Sequence, residues 1–144
     1  MIVGLVGCCA EKLTRPAPAR EIYRSPLFRK ASAWAESHCD AWAILSALRG
    51  VVLPDQVIQP YEARLPRGEA YRRWQLGAHG QLHVHFEGAT RFVFLAGADY
   101  ACDVAVNCPW HEGGPEDECH LPFQFPLLGK GIGARLQFLG RSLS

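Results

Sequence analysis

The chain has 144 residues, of which 49% are hydrophobic and four are tryptophan, and its formal net charge is +1. This length is typical of one domain, and the hydrophobic content supports a folded core and excludes a disordered tail. A charge so close to neutral argues against a protein that binds nucleic acid through a large basic excess. No apolar run approaches the length of a membrane span and residues 1–6 lack the pattern of a signal peptide, so we expect a cytoplasmic protein without a membrane partner.

The amino-terminal residues predict a strand, a loop, a helix and a second strand. Residues 1–7 are apolar with two glycines and predict a buried strand, and residues 11–26 contain three prolines and predict a long loop over the end of the sheet. Ser25, which precedes a proline, is typical of an N-cap, and apolar residues at helical spacing predict a helix over 27–39. The apolar residues 42–45 predict a second buried strand, so the unit is a right-handed parallel crossover.

The second strand leads into a segment rich in glycine, proline and polar residues. Gly50 permits a turn, and Pro54 and Pro60 restrict φ on either side of Asp55. Rigid loops at strand ends are where α/β proteins bind ligands. The alternative is an ordinary connection in which Asp55 caps a turn.

The rest of the chain predicts further helices and one more strand. The predicted elements are a helix over 69–80, a buried strand over 91–96, a helix over 100–106 and a terminal helix over 132–139. Residues 82–86 alternate apolar and polar residues, and they either continue the helix or form a short strand. No internal repeat or linker is present. We therefore predict a single three-layer α/β domain over 1–144, with a small, mostly parallel central sheet flanked by helices.

Several motifs resemble a known family. The segments GCCAEK at 7–12, PAPAREIYRSPLF at 16–28 and SALRGVVLPDQVIQPYE at 46–62 resemble a family of short uncharacterised bacterial proteins that is distantly similar to YaaA. The segments at 97–100 and 126–133 extend the resemblance toward the end of the chain. The wider group includes the peroxide-stress protein YaaA and a domain of archaeosine synthase, which acts on a modified guanine in tRNA. The resemblance therefore implies chemistry on a nucleobase.

The predicted strands bring polar residues to one edge of the sheet. If the three strands are parallel neighbours, their carboxyl ends meet there, and free backbone N–H groups bind anions and polar ring edges. The expected ligand is a nucleotide, a nucleoside or a nucleic acid. Its expected binding residues are Cys8, Cys9, Tyr23, Arg24, Ser25, Ser46, Gly50, Tyr61 and Tyr100. Tyr23 either stacks on a base or packs the loop onto the sheet, and the two cysteines either include a nucleophile or are buried structural thiols.

Three carboxylates are candidates for acid–base catalysis: Asp99, Glu62 and Asp55. Asp99 is the first choice because burial at a strand end raises the pKa of a carboxylate, which suits a general base. Its alternative role is the N-cap of the following helix. Together with the resemblance, this predicts a nucleobase- or nucleoside-processing enzyme, a hydrolase or transferase that cleaves or exchanges an N-glycosidic bond in a nucleotide or nucleic acid.

Cysteine and histidine are concentrated in an insert at about 107–121. Cys108 and His111 have the spacing of a metal knuckle, and Cys119 and His120 follow a Gly-Gly-Pro turn. Because thiolate and imidazole groups suit zinc, we predict a structural zinc ion held by these four residues, with Cys102 as the alternative to His120.

Two other functions remain open from the sequence. The first is a non-catalytic DNA- or RNA-binding stress protein, in which the basic residues of 12–30 and 64–73 contact the phosphate backbone. The second is a cysteine-based redox or metal-handling protein, which requires accessible thiols of lowered pKa. In a cytoplasmic protein the six cysteines are more typical of free, buried or metal-bound thiols than of disulfides.

Overall fold

The computed structural model describes residues 1–9, 12–61 and 67–95 and a short strand at 123–124. The strands are β1 (Ile2–Gly7), β2 (Ala17–Pro18), β3 (Ala41–Ser46), β4 (Gly50–Val52), β5 (Val57–Ile58), β6 (Arg91–Leu95) and β7 (Phe123–Gln124). The helices are α1 (Ala19–Ile22), α2 (Pro26–His38) and α3 (Glu69–His85). The strands predicted at 1–7, 42–45 and 91–96 and the helix predicted over 27–39 are confirmed. None of the described helices has the length and apolar character needed to cross a membrane.

The main sheet is mostly parallel, and β1 lies at its centre. Its strand order is β4-β3-β1-β6-β7, in which β3 and β6 both run parallel to β1. Gly7 pairs with Leu45 and Val6 with Leu95, so the carboxyl ends of the three strands lie at one edge. This confirms a mixed α/β fold and the predicted parallel neighbours. A separate pair, β2 and β5, is antiparallel.

Helix α2 forms where local signals place it. Ser25 is its N-cap, and the Ser25 Oγ accepts a hydrogen bond of 3.1 Å from the backbone N–H of Phe28. Proline at the first helical position adds a fixed φ that suits the helix. Its apolar face, which includes Phe28, Ala31 and Ala35, is buried. The helix therefore packs on the sheet through residues at helical spacing.

The two faces of the sheet have separate apolar clusters, because successive strand residues point to opposite sides. On one face, which we call the α2 face, Val6, Ile44 and Leu95 pack in one cluster with residues of α2. On the other, the α3 face, the residues in contact are Val3, Leu5, Ala43, Leu45, Phe92 and Phe94 from the sheet and Ala78 and Leu82 from α3. Burial of each large side chain contributes about 1.5–3 kcal/mol, so both faces stabilise the sheet.

Two segments expected to be loops contain regular structure. Residues 50–52 form β4, which pairs antiparallel with β3. Gly50, at a φ of 75°, turns the chain back, and the buried Val51 and Val52 then add to both apolar clusters. The proline-rich loop expected at 11–26 contains β2 and the short α1. These elements depend on partners distant in sequence, which the local pattern does not show.

The alternating residues 82–85 continue α3, which ends at His85. A strand at 82–86 is therefore excluded, and Leu82 is buried against the sheet as part of the helix. The predicted helices over 100–106 and 132–139 lie outside the described residues.

Candidate functional site

Three hydroxyl groups are linked at the carboxyl edge of the parallel strands. The Tyr61 hydroxyl lies 2.6 Å from the Tyr23 hydroxyl and 2.7 Å from the Ser46 Oγ. Ser46 is the last residue of β3 and is fully buried, and only 2% of Tyr23 is exposed. We call Tyr23, Ser46 and Tyr61 the hydroxyl cluster. Each hydroxyl can both donate and accept, so the three form a continuous hydrogen-bonded chain.

Backbone pairing between two distant segments brings the tyrosines together. Tyr23 follows α1 and forms an antiparallel bridge with Lys12, and the Leu13 N–H donates to the Ile22 carbonyl at 2.8 Å. Tyr61 follows β5, whose Ile58 pairs with Ala17 of β2. Residues of both segments pack into the apolar cluster of the α2 face. The Tyr23 ring also contacts Phe28, with ring centres 5.0 Å apart, which fixes it against α2.

Two cations lie beside the ring of Tyr61. The Lys12 Nζ is 4.4 Å from the centre of this ring and 5.8 Å from that of Tyr23. The Arg49 guanidinium carbon is 6.0 Å from the centre of the Tyr61 ring. Both positions allow attraction between a cation and the π face of the ring. The cluster therefore combines neutral hydroxyl donors with positive charge.

Burial controls the protonation of the two phenols. Burial raises the pKa of Tyr61 to about 12, and hydrogen bonds with Ser46 and Tyr23 oppose part of this increase. The pKa of Tyr23 is raised well above its usual range, first by burial and then by its hydrogen bond with Tyr61. The Cys8 thiol, which also interacts with the Tyr61 hydroxyl, favours the neutral form of that phenol. Both tyrosines are therefore hydrogen-bond donors at neutral pH.

Cys8 lies directly at the edge. Its backbone N–H donates to the Leu45 carbonyl at 3.0 Å, which continues the pairing of β1 with β3 beyond Gly7. Cys9 is half-buried and packs against the apolar cluster of the α2 face. The structure thus brings together Cys8 and the hydroxyl cluster, as the parallel strand ends predict.

An open groove of about 300 Å³ lies on the α3 face, between the turn after β3 and the helix. Its lining residues are Leu48, Arg49, Gly50, Trp74, Gly77, Ala78 and Gln81. The Trp74 Nε1 donates to the Ser46 carbonyl at 2.9 Å. The groove and the hydroxyl cluster are therefore joined through one residue, since the Oγ of Ser46 contacts Tyr61 and its carbonyl contacts Trp74.

Gln81 holds the turn against α3. Its Oε1 accepts from the Val51 N–H at 2.8 Å and its Nε2 donates to the Arg49 carbonyl at 3.3 Å. The Arg49 N–H donates to the Ser46 Oγ at 3.2 Å. The backbone of Arg49 is thus fixed on both sides, and the residue lines the groove while its guanidinium carbon lies 6.0 Å from the centre of the Tyr61 ring.

The other predicted site residues in the described part of the chain have separate places. Arg24 is exposed, Ser25 caps α2, and Gly50 turns the chain beside the groove. The side chain of Asp55 is 86% exposed, and its Oδ1 lies 2.8 Å from the Arg20 Nη2. Asp55 therefore forms a surface ion pair, and no described contact joins it to the hydroxyl cluster.

The remaining predicted site residues lie outside the described residues: Glu62, Asp99, Tyr100, Cys102, Cys108, His111, Cys119 and His120. Within the part of the chain that is described, no three histidine, cysteine or carboxylate side chains are grouped to bind a metal ion. The zinc site stays a prediction about the insert.

Sequence reasoning did not assign Arg49, Trp74 or Gln81 to a site, and it named Lys12 only among the basic residues of 12–30. Lys12 and Arg49 each lie within a motif of the family resemblance, and that position was the available signal. Trp74 and Gln81 had no such signal, because their roles depend on contacts between α3 and the turn after β3.

A protein-family model, described as a family of unknown function (DUF6884), matches residues 3–141. The chain is 28% identical over 131 residues to "Uncharacterized protein YfjM" of Bacillus subtilis (strain 168), an alignment that covers 89% of this chain and 81% of that protein. No solved structure matches the chain. The comparisons agree with the expected uncharacterised family, and the more distant resemblance to YaaA and archaeosine synthase stays a prediction.

Proposed function

Because the chain belongs to DUF6884, a family of unknown function, its own site has to indicate the activity, and we propose a cytoplasmic enzyme that acts on a nucleobase or nucleoside. The reaction that we propose is the cleavage or exchange of an N-glycosidic bond in a nucleotide or nucleic acid. The observation that supports it is the hydroxyl cluster, which places linked neutral donors at the carboxyl edge of the parallel strands. Open α/β sheets bind their ligands at this edge.

N-glycosidic cleavage needs donors at the departing base. When the bond between the base and C1′ breaks, its electron pair passes to the base nitrogen, which a hydrogen-bond donor stabilises. The Tyr61 phenol, whose pKa is raised to about 12, stays protonated and can serve as this donor. After the step, solvent water returns a proton to Tyr61, whose oxygen stays hydrogen-bonded to Tyr23 and Ser46 in the meantime.

Lys12 supports the same step through its charge. Its Nζ lies 4.4 Å from the centre of the Tyr61 ring, close enough to stabilise negative charge on the departing base or on the phenol. When Tyr61 gives up its proton, the negative charge left on the phenol lies near the positive charge of Lys12. Lys12 is therefore the residue that we propose to stabilise the charge that develops when Tyr61 donates its proton.

The proposal also needs a carboxylate that takes a proton from the attacking water or stabilises the cationic sugar. Asp99 and Glu62 remain the proposed residues for this role, with Asp55 as the third candidate. In the exchange reaction an incoming base replaces the water. We further propose that the whole chain forms the predicted three-layer domain and that Cys108, His111, Cys119 and His120 hold a structural zinc ion.

The test is an assay of free base released from a panel of nucleosides, nucleotides and single-stranded oligonucleotides. We expect release by the wild type and a loss of about 10²–10³-fold in kcat for Tyr61→Phe, as for removal of one donor that stabilises a developing charge. Ser37→Ala, which removes an exposed hydroxyl of α2, is the control and should retain the wild-type rate.

Absence of base release, base exchange and nucleoside binding in the whole panel would overturn the proposal. Binding of oligonucleotides that falls steeply with salt, without base release and without an effect of Tyr61→Phe, would instead establish the non-catalytic nucleic-acid-binding function.

A further inference from the structure

The groove on the α3 face has the features of a site for a flat ring. Gly77, Ala78 and Gly50 add little side-chain bulk to its walls, and Trp74, whose ring is stacked with that of Tyr71 at 6.1 Å between centres, adds an aromatic ring. Among the described residues, no atom outside the helix's own backbone lies within 4 Å of a Cβ built on Gly77, so this glycine adds open space to the groove that Trp74 also lines. Aromatic side chains next to open space stack on bases of any sequence, because every base has a π face.

Two polar residues of the groove, Gln81 and Arg49, have different roles. Gln81 already uses its amide to hold the turn through Val51 and the Arg49 carbonyl. Arg49, one of the lining residues, carries a positive charge, and a guanidinium is an effective partner for the oxygen atoms of a phosphate. Among the described residues that line it, the groove thus has one aromatic ring and one cation.

The size of the groove limits what it can hold. A volume of about 300 Å³ is at the lower limit for ligand pockets, which suits one ring system better than a whole nucleotide. A phosphate attached to that ring through a sugar must therefore lie at the rim. Arg49 is the cation that both lines the groove and lies 6.0 Å from the centre of the Tyr61 ring.

We propose that the groove is the phosphate and base subsite of the substrate, in which a nucleotide places its ring beside Trp74 over Gly77 and its phosphate on Arg49. This inference rests on the proposed function and narrows its substrate class to phosphorylated nucleosides, either free or as units of a strand. Ser46 couples the two parts, since its carbonyl holds Trp74 and its Oγ holds Tyr61.

Gly77 and Gly80 provide a matched pair of variants. In the described part of the chain, neither glycine has a neighbouring atom within 4 Å of a built Cβ, so the Cβ of a leucine at either position meets no described side chain. Gly77 lines the groove, whereas Gly80, on the same helix, is not one of its lining residues. Gly77→Leu should therefore fill the groove, and Gly80→Leu is the control for the added apolar side chain.

The experiment measures binding of the four ribonucleoside 5′-monophosphates, the four matching nucleosides and a single-stranded oligonucleotide by isothermal titration calorimetry. We expect Gly77→Leu to weaken binding of the monophosphates by about tenfold or more, through loss of the stacking space, and Gly80→Leu to leave it unchanged. Arg49→Gln should weaken binding of the monophosphates by about tenfold or more and leave binding of the nucleosides unchanged, because only the phosphate interacts with the charge of Arg49. Circular dichroism checks that each variant is folded.

The outcomes separate this inference from the proposed function. If nucleotides bind and Tyr61→Phe abolishes turnover, but Gly77→Leu and Arg49→Gln bind like the wild type, the groove is not a subsite and the proposed function stands. If only the oligonucleotide binds and Gly77→Leu weakens it, the groove holds one unit of a strand, which supports the inference. If none of the probes binds, both the inference and the proposed function are overturned.

Discussion

The two faces of the sheet use glycine in opposite ways. On the α2 face, Gly4 lets the helix approach β1 closely, because a Cβ there would lie 2.9 Å from the Ala35 Cβ and 3.2 Å from the Cys39 Sγ. On the α3 face, a Cβ at Gly77 would meet no neighbouring atom of the residues that the structure describes within 4 Å, and the residue lines an open groove. One glycine is therefore required for packing, and the other leaves space for a ligand.

The faces also bury different titratable groups. Tyr23 packs on the α2 face, and the pKa values of Tyr23 and Tyr61 are raised, mainly by burial. His79 of α3 is 1% exposed, and burial followed by repulsion from His83 lowers its pKa to about 4. One region is therefore sensitive to alkaline conditions and the other to acid, which separates the two experimentally.

The largest expected effect is alkaline destabilisation of the hydroxyl cluster. A phenol whose pKa is raised by folding stabilises the protein below the unfolded pKa and loses this contribution as the pH rises toward the folded pKa. We expect the free energy of unfolding to fall by about 4 kcal/mol between about pH 10 and pH 12 from the two tyrosines together. Urea unfolding at each pH measures this decrease.

The matched variants for this test are Tyr61→Phe and Tyr71→Phe. Tyr61→Phe should reduce the slope of the free energy of unfolding against pH by about 1.4 kcal/mol per pH unit, which is the value for one proton. A slope equal to that of the wild type would show that Tyr61 does not titrate differently in the folded protein. Tyr71→Phe measures the effect of removing a phenol outside the cluster.

The next effect concerns close packing on the α2 face. Gly4→Val places atoms where Ala35 and Cys39 lie, and we expect a loss of about 3 kcal/mol in the free energy of unfolding. Thermal or urea unfolding measures it. A loss below about 0.5 kcal/mol, the size of an ordinary surface substitution, would show that α2 can move away from β1 without cost.

The stability of the protein at acid pH tests the burial of His79 of α3. The pKa of His79 is lowered to about 4 in the folded protein. As the pH falls below the usual histidine pKa of about 6.5, the His79 side chain is therefore protonated in the unfolded chain before it is protonated in the folded protein. We expect the free energy of unfolding to fall by about 2 kcal/mol between about pH 6.5 and pH 4.5 because of this group. His79→Gln should flatten this part of the pH profile. The exposed His85→Gln is the control, and equal profiles for the two variants would contradict the assignment.

The smallest expected effect is a gain in stability. Gly77→Ala adds a methyl group in open space within α3, so we expect the free energy of unfolding to increase by about 1 kcal/mol, from helix propensity alone. The same substitution at Gly4, which adds a methyl group 2.9 Å from Ala35, should have the opposite sign. A loss of stability in Gly77→Ala would show that the groove is closed in solution.

Part of the site was predictable because it depends on strand direction. Apolar strands joined by a crossover helix run parallel, and their carboxyl ends then meet at one edge. Cys8 and Ser46 were expected together for that reason, and the motifs of the family resemblance placed Tyr23 and Tyr61 in loops near them. The direct contact between the two phenols was not predictable, because it follows from the pairing of β2 with β5.

By itself, the sequence determined the elements whose signals are local: the strands β1, β3 and β6, and the helix α2 with its cap at Ser25. Only the tertiary structure decided the return strand β4, the full length of α3 and the groove between them. The return strand and the groove depend on hydrogen bonds from Gln81 and Trp74 to backbone groups about thirty residues away in sequence. Local patterns encode periodicity and caps, whereas a partner at long range is specified only when the chain is packed.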